Sequence, residues 1–103
     1  MTAKEYLQNT ASGLTATEVD GVTTTLHFDF GDGADYSMVV DDGKAEFVEG
    51  FVGIAECVIK AEADDFVKIA TGDMNPMMAM MMGKLKLSNA GAMMKYAKML
   101  GLM

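Results

Sequence analysis

The stretch ATGDMNPMMAMMMGKLKL, residues 70–87, combines the end of one helix, the start of another and a short strand. Gly72 occupies the position at which a glycine commonly ends a helix. Asn75 followed by Pro76 predicts a helix start, because asparagine caps free backbone amides and proline suits the first helical position. We expect this helix to run to about Met82, where the next glycine stops it.

Methionine dominates this stretch and the rest of the C-terminal third. Ten of the twelve methionines lie in residues 74–103. Fully burying one such side chain is worth roughly 1.5–3 kcal/mol, whereas a small domain has a net stability of only about 5–15 kcal/mol. A helix over residues 75–82 is apolar almost all round, which predicts that it is sandwiched between other elements. Most of these methionines must then be covered by core, by a partner or by a bound apolar molecule.

Strand and helix patterns surround this stretch. Leucine and lysine alternate in residues 84–88, which predicts a short strand with leucines facing inward. Upstream, alternating apolar residues predict four strands, over residues 23–30, 35–41, 44–49 and 56–61. We expect these strands to form an antiparallel meander, in which the Asp42-Gly43 turn joins the second strand to the third. Helical spacing predicts helices over 2–12, 63–71 and 89 to about 100, the last with the apolar stripe Ala90, Met93, Met94, Ala97 and Leu100. We interpret residues 1–103 as one domain.

Charge is distributed unevenly along the chain. Residues 1–73 hold all fifteen acids and four lysines, whereas residues 74–103 hold four lysines and no acid. The formal net charge of −7 and the absence of arginine argue against nucleic acid as a partner. A single cysteine, an N-terminus without an apolar signal core and the lack of a long apolar run predict a reducing, cytoplasmic setting with no transmembrane helix.

Catalytic and metal-binding patterns do not emerge from the sequence. His27 falls on the polar phase of its strand and is interpreted as a surface residue, and Cys57, on the apolar phase, as a core thiol. Asp29, Asp32 and Asp35 do not have the spacing of a calcium loop. Gly83-Lys84 does not have the flanking residues of a phosphate loop. We therefore predict a protein that is not an enzyme and uses no cofactor or metal.

The order of these motifs resembles the sterol carrier protein type 2 domain family over roughly residues 36–101. The resemblance is carried by DDGKA at 41–45, AECVI at 55–59, TGDMNP at 71–76 and GKLKL at 83–87, followed by a helix containing AMMK at 92–95. It implies an α+β fold, with a five-stranded mostly antiparallel sheet and helices on one face that enclose an apolar tunnel. It also implies non-catalytic binding of fatty acids, fatty acyl-coenzyme A, sterols or phospholipids.

Two departures from the family pattern lie in the N-terminal region and at the start of the helix over 63–71. The N-terminal helical region is much shorter than in the animal members, so the tunnel is expected to be more open or closed by a partner chain. Glu62 replaces the serine that usually caps the helix over 63–71, which weakens that cap.

Candidate ligand contacts follow from the apolar pattern together with the resemblance. Polarizable, unbranched methionines adapt to ligands of varied shape, although core packing is the alternative for each of them. The predicted lipid-binding residues are Phe47, Phe66, Ile69, Met77, Met78, Met80, Met81, Met93, Met94 and Ala97. Lys84, Lys86, Lys95 and Lys98 are candidates for contact with a carboxylate, a phosphate or an anionic membrane, the alternative being a solvated face.

A second function of a different class fits the same pattern. The methionine-rich face would equally serve as a protein-interaction or dimerisation module, accessory to a lipid-metabolising enzyme. Partners would then be a second copy of the chain or that enzyme, whereas a lipid carrier would contact an acyl or sterol-like ligand and, transiently, a membrane.

Overall fold

A computed structural model describes residues 1–14, 19–31, 33–97 and 99–100. Within them the chain forms four helices and five strands, in the order α1 (Ala3–Gly13), β1 (Thr24–Asp29), β2 (Asp35–Asp41), β3 (Lys44–Glu49), β4 (Cys57–Ala61), α2 (Ala63–Ala70), α3 (Pro76–Met81), β5 (Leu85–Leu87) and α4 (Ala90–Tyr96). The five strands form one sheet, and the predicted α+β class is confirmed. No helix of the described ranges combines the length and the apolar character needed to cross a membrane.

The sheet has the strand order β3-β2-β1-β4-β5. β1 pairs with β2, β2 with β3, and β4 with β5 in antiparallel fashion, whereas β1 and β4 are parallel. The predicted four-stranded meander is therefore wrong at its last step. After β3 the chain crosses to the other side of β1, because residues 50–56 pass over the sheet instead of turning back at its edge.

The predicted turn and helix ends are confirmed at positions where a particular residue type determines the local backbone conformation. Asp42 and Gly43 have φ values of 51° and 74°, as the two-residue hairpin turn between β2 and β3 requires. Gly72 has φ 88° and its amide donates to the Ile69 carbonyl, which ends α2 as predicted. The Asn75 side chain accepts hydrogen bonds from the amides of Met77 and Met78 at 2.8 and 3.4 Å and caps α3.

The core lies between the helices and one face of the sheet, which we call the inner face. Leu26, Phe28, Met38 and Ile59 on that face are fully buried. Phe66 of α2 packs against them, and its ring centroid lies 5.8 Å from that of Phe28. α1 covers the β3 side of this face, and its attachment includes an ion pair between Lys4 and Glu49. Glu62 precedes α2 without a side-chain cap, as predicted.

The opposite, outer face is partly covered by residues 50–56, which corrects the interpretation of His27. This side chain points away from the core, as its strand phase predicts, but it is only 9% exposed. Its Nε2 lies 2.8 Å from the Val52 carbonyl oxygen, and its ring stacks on Phe51 at 4.7 Å between centroids. Ser37 holds the same segment, donating to the Gly50 carbonyl and accepting from the Val52 amide. His27 is thus a covered residue and not a surface residue.

Candidate functional site

The methionines of α3 face outward. Met77, Met78, Met81 and the following Met82 are 69, 59, 85 and 61% exposed, and only Ala79 of this helix is buried. The prediction that α3 is sandwiched is therefore wrong. α3 is only six residues long and contacts the edge strand β5, and Ala79 is its one buried residue, so the rest of its circumference is not covered by a second layer.

The other predicted lipid contacts divide between core and surface. Phe66, Ile69, Met93 and Ala97 are buried, with Phe66, Ile69 and Met93 in the same apolar cluster as the inner sheet face. Three predicted contacts remain. Phe47 is half-buried on β3 and packs against Tyr36. Met80 lies at the margin of the exposed face of α3, and Met94 is exposed on α4. The structure thus brings some of the predicted residues together in the core and leaves most of the methionines in solvent.

A carboxylate attaches α4 to the sheet. Glu56 Oε1 accepts hydrogen bonds from Thr24 Oγ1 at 2.7 Å and from the Tyr96 hydroxyl at 2.9 Å. Hydrogen bonding by Thr24 and then by Tyr96 lowers the pKa of Glu56, since both bonds favour the charged carboxylate. Burial, together with the bond to Glu56, raises the pKa of Tyr96. The start of α4 is held nearby, because the Ser88 hydroxyl accepts from the Val58 amide at 2.7 Å.

The segment after α4 is attached to α1. The Tyr6 hydroxyl donates to the Leu100 carbonyl at 2.6 Å, and Leu100 is fully buried. Burial raises the pKa of Tyr6. Sequence reasoning did not identify Tyr6, Glu56 or Tyr96, because single polar residues at the ends of elements leave no periodic signal. Together they fix the C-terminal segment at two places over the core.

The candidate lysines lie near the ends of β5 and α4. Lys84 and Lys86 are exposed and line a groove of about 440 Å³ with Lys60, and Asp29, Glu62 and Asp65 line the same groove. Lys95 is exposed on α4, and Lys98 lies outside the described residues. Within the described ranges, no three His, Cys, Asp or Glu side chains are grouped so that they could hold a metal ion.

Comparison with a family model covers nearly the whole chain. A model described as the SCP-2 sterol transfer family matches residues 3–101. No curated protein sequence matches the chain.

Solved structures share the fold at low sequence identity. The inverting sec-alkylsulfatase Pisa1 from a Pseudomonas species superposes with a TM-score of 0.80 and 22% identity over 100% of this chain, which spans only 16% of that enzyme. Sterol carrier protein domain 2 of Helicoverpa armigera gives a TM-score of 0.74 and 19% identity, covering 96% of this chain and 84% of that one. The apo form of sterol carrier protein 2 from Yarrowia lipolytica gives 0.71 and 16%, covering 96% and 85%. At these identities the likeness establishes the fold alone.

Proposed function

Since the chain belongs to the SCP-2 sterol transfer family, we propose that it binds and carries lipids without catalysing a reaction on them. The proposed ligand has a long apolar part: a fatty acid, a fatty acyl-coenzyme A, a sterol-like molecule or a phospholipid. Its apolar part would enter between the inner face of the sheet and α2, α3 and α4, in the position where the family resemblance implies a tunnel.

The observation that carries this proposal is the exposed apolar surface of α3. Solvent-exposed apolar patches of this kind mark interaction sites, since monomeric soluble proteins rarely leave large ones uncovered. A six-residue helix is also far shorter than the roughly 12–15 residues needed for stability in isolation. Because Ala79 is the one buried residue of α3, we expect this helix to be lightly attached and to be turned or displaced at small cost.

Ligand entry would convert this exposed surface into a covered one. We assign the inner wall of the site to Phe66, Ile69, Met93 and Ala97, which already belong to the interior. Methionines of α3, with Met94, would close over the ligand, and their flexible side chains would adapt to its shape. Phe47, on the distant edge strand β3, would contact the far end of a long chain. Specificity is expected to be loose, because apolar contacts discriminate weakly between ligands.

Native mass spectrometry with added oleic acid tests this proposal. The expected result is a monomer carrying one lipid mass, and Met81→Glu should abolish that adduct while the far-ultraviolet circular dichroism stays unchanged. Met81 is 85% exposed, so a charge there is compatible with the fold but not with an apolar contact. Ile54→Glu is the matched control, because Ile54 is 95% exposed on segment 50–56 and should leave uptake intact.

Two results would contradict the proposal. Equal oleate uptake by Met81→Glu and the parent protein would place the ligand away from α3. A stable dimer that takes up neither oleic acid nor fatty acyl-coenzyme A would instead support the interaction module.

A further inference from the structure

We propose that one surface of this protein docks on an anionic lipid bilayer. This Met–Lys surface consists of the outward methionines at α3 and the lysines that follow them: Met77, Met78, Met81, Met82, Lys84 and Lys86. Because the methionines also belong to the proposed lipid site, the docking surface rests on the proposed function and adds to it the place where cargo is exchanged.

The apolar half of the surface is one continuous strip. Met77 and Met81 are four residues apart, as are Met78 and Met82, so each pair stacks along the helix. At about 100° per residue the four side chains cover a sector about 140° wide. Ala79, the buried residue of α3, lies outside this sector. Long apolar side chains in such an arrangement can enter the boundary between head groups and acyl chains.

The lysines stand at the C-terminal end of this strip. The Lys84 amide donates to the Ala79 carbonyl at 2.8 Å, which places Lys84 directly beside the last turn of α3. Lys86 is two residues further on, and the two lysines line the same groove on either side of the buried Leu85. Among the described residues, neither lysine lies within ion-pair distance of a carboxylate. Their ammonium groups are therefore available to lipid head groups.

Acids bound the surface on one side. Asp29, Glu62 and Asp65 line the far wall of the groove, on β1 and at the start of α2. All fifteen acids of the chain belong to residues 1–73, whereas residues 74–103, which include the Met–Lys surface, carry none. An anionic bilayer would repel the acid-rich remainder and attract the Met–Lys end, so charge selects one orientation.

Charge also favours a bilayer over a second copy of the chain. Two identical Met–Lys surfaces carry the same positive charge, which opposes their association. An anionic bilayer supplies diffuse negative charge and an apolar layer without requiring a matching shape.

Cosedimentation with vesicles tests the proposal. The intact protein should bind phosphatidylcholine vesicles that contain phosphatidylserine, bind pure phosphatidylcholine weakly, and dissociate at high salt. Lys84→Gln and Lys86→Gln should each weaken binding by about fivefold, the factor expected for one lysine near an anionic surface. Lys44→Gln, exposed on β3 at the opposite edge of the sheet, is the matched control and should bind like the parent.

A variant that is expected to strengthen vesicle binding makes the test more specific. Glu62→Gln removes an acid from the groove without removing a helix cap, because the Glu62 side chain makes no cap hydrogen bond. It should bind phosphatidylserine vesicles more tightly than the parent. Oleate uptake by Glu62→Gln and by the parent protein, measured without vesicles, should be equal, and this measurement separates a failure of docking from a failure of the proposed function.

Several outcomes would overturn docking. The proposal is wrong if the protein does not bind vesicles, or if its binding does not depend on phosphatidylserine. It is also wrong if the lysine variants bind vesicles like the parent. If the protein does not bind vesicles but light scattering detects a dimer that the lysine variants weaken, the surface binds a second copy of the chain.

Discussion

Glu56 connects three elements through one carboxylate oxygen. Thr24 at the start of β1 and Tyr96 at the end of α4 both donate to Oε1, and Glu56 itself precedes β4. The exposed Lys95 contributes an attractive charge nearby. In addition, the Asn89 side chain donates to the Glu56 backbone carbonyl at 3.5 Å while it caps α4. This residue therefore decides how firmly α4 is held against the sheet.

The Glu56 bonds predict a pH-dependent contribution to stability. Its pKa in the folded protein lies below the ordinary 4.5, so the stabilisation is present above that value and is lost as pH falls through the folded pKa. Glu56→Gln should be less stable than the parent at neutral pH, and the difference should shrink in acid. Thermal unfolding followed across pH measures this. Glu46→Gln, exposed on β3, serves as the control, and a gap that stays constant with pH would refute the explanation.

Ser37 holds segment 50–56 over the sheet. It is fully buried, donates to the Gly50 carbonyl at 2.7 Å and accepts from the Val52 amide at 3.0 Å. Ser37→Ala leaves those backbone groups without a side-chain partner and should cost about 1–3 kcal/mol of unfolding free energy. Urea denaturation gives the value. The exposed Ser12→Ala provides the comparison and should change stability little.

Alternation identified the face of His27 but not its burial. The strand phase shows which side of the sheet a residue occupies, and His27 does lie opposite the core. Its cover comes from Phe51 and Val52, residues far along the chain whose path no local pattern describes. For the same reason the hydrogen bonds of Glu56 could not be read from sequence spacing.

Among the elements, α3 shows which properties of a helix depend on local sequence and which depend on packing. Asn75 and Pro76 determine where the helix begins, and that start was predictable. The exposure of α3 depends on how many layers of structure surround it. Its apolar composition predicted two layers, one on each side of the helix. Because β5 is an edge strand and Ala79 is the one buried residue of α3, the helix is covered on one side only.

The Asn75 cap predicts a local effect on α3. Asn75→Ala removes the acceptor for the amides of Met77 and Met78 and should cost about 1 kcal/mol. Because α3 is lightly attached, the loss should appear as local opening, with amide exchange of Ala79 and Met82 about fivefold faster. Asn75→Asp keeps a carboxyl acceptor and should exchange like the parent. Unchanged exchange in the alanine variant would show that the cap does not limit opening.

At the scale of the whole molecule, the strand order depends on the segment between β3 and β4. Residues 50–56 have a maximum reach of about 23 Å, and crossing from β3 to β4 spans three strand spacings, about 14 Å. The segment is therefore long enough either to turn at the edge or to cross the sheet. Alternation and turn residues predicted the antiparallel pairs of β1 with β2 and of β2 with β3. The crossing depends instead on His27 and Ser37, polar residues of the outer face that bond to residues 50–56.

This strand order predicts a gradient of amide protection. β1 has hydrogen-bonded neighbours on both sides, whereas β5 is a three-residue edge strand. Amides of β1 should exchange slowest and those of β5 and α3 fastest, as measured by nuclear magnetic resonance of the parent protein. Uniform exchange across the sheet would mean that the molecule opens only as one unit.

The parallel contact of β1 with β4 also bears on synthesis of the chain. A nascent polypeptide that has left the ribosome only as far as Gly50 already contains the partners for one side of its innermost strand. The other side stays bare until Cys57 to Ala61 emerge. A bare strand is a template for pairing with other chains. Stalled or prematurely terminated products of this protein should therefore be far more prone to aggregate than the finished one.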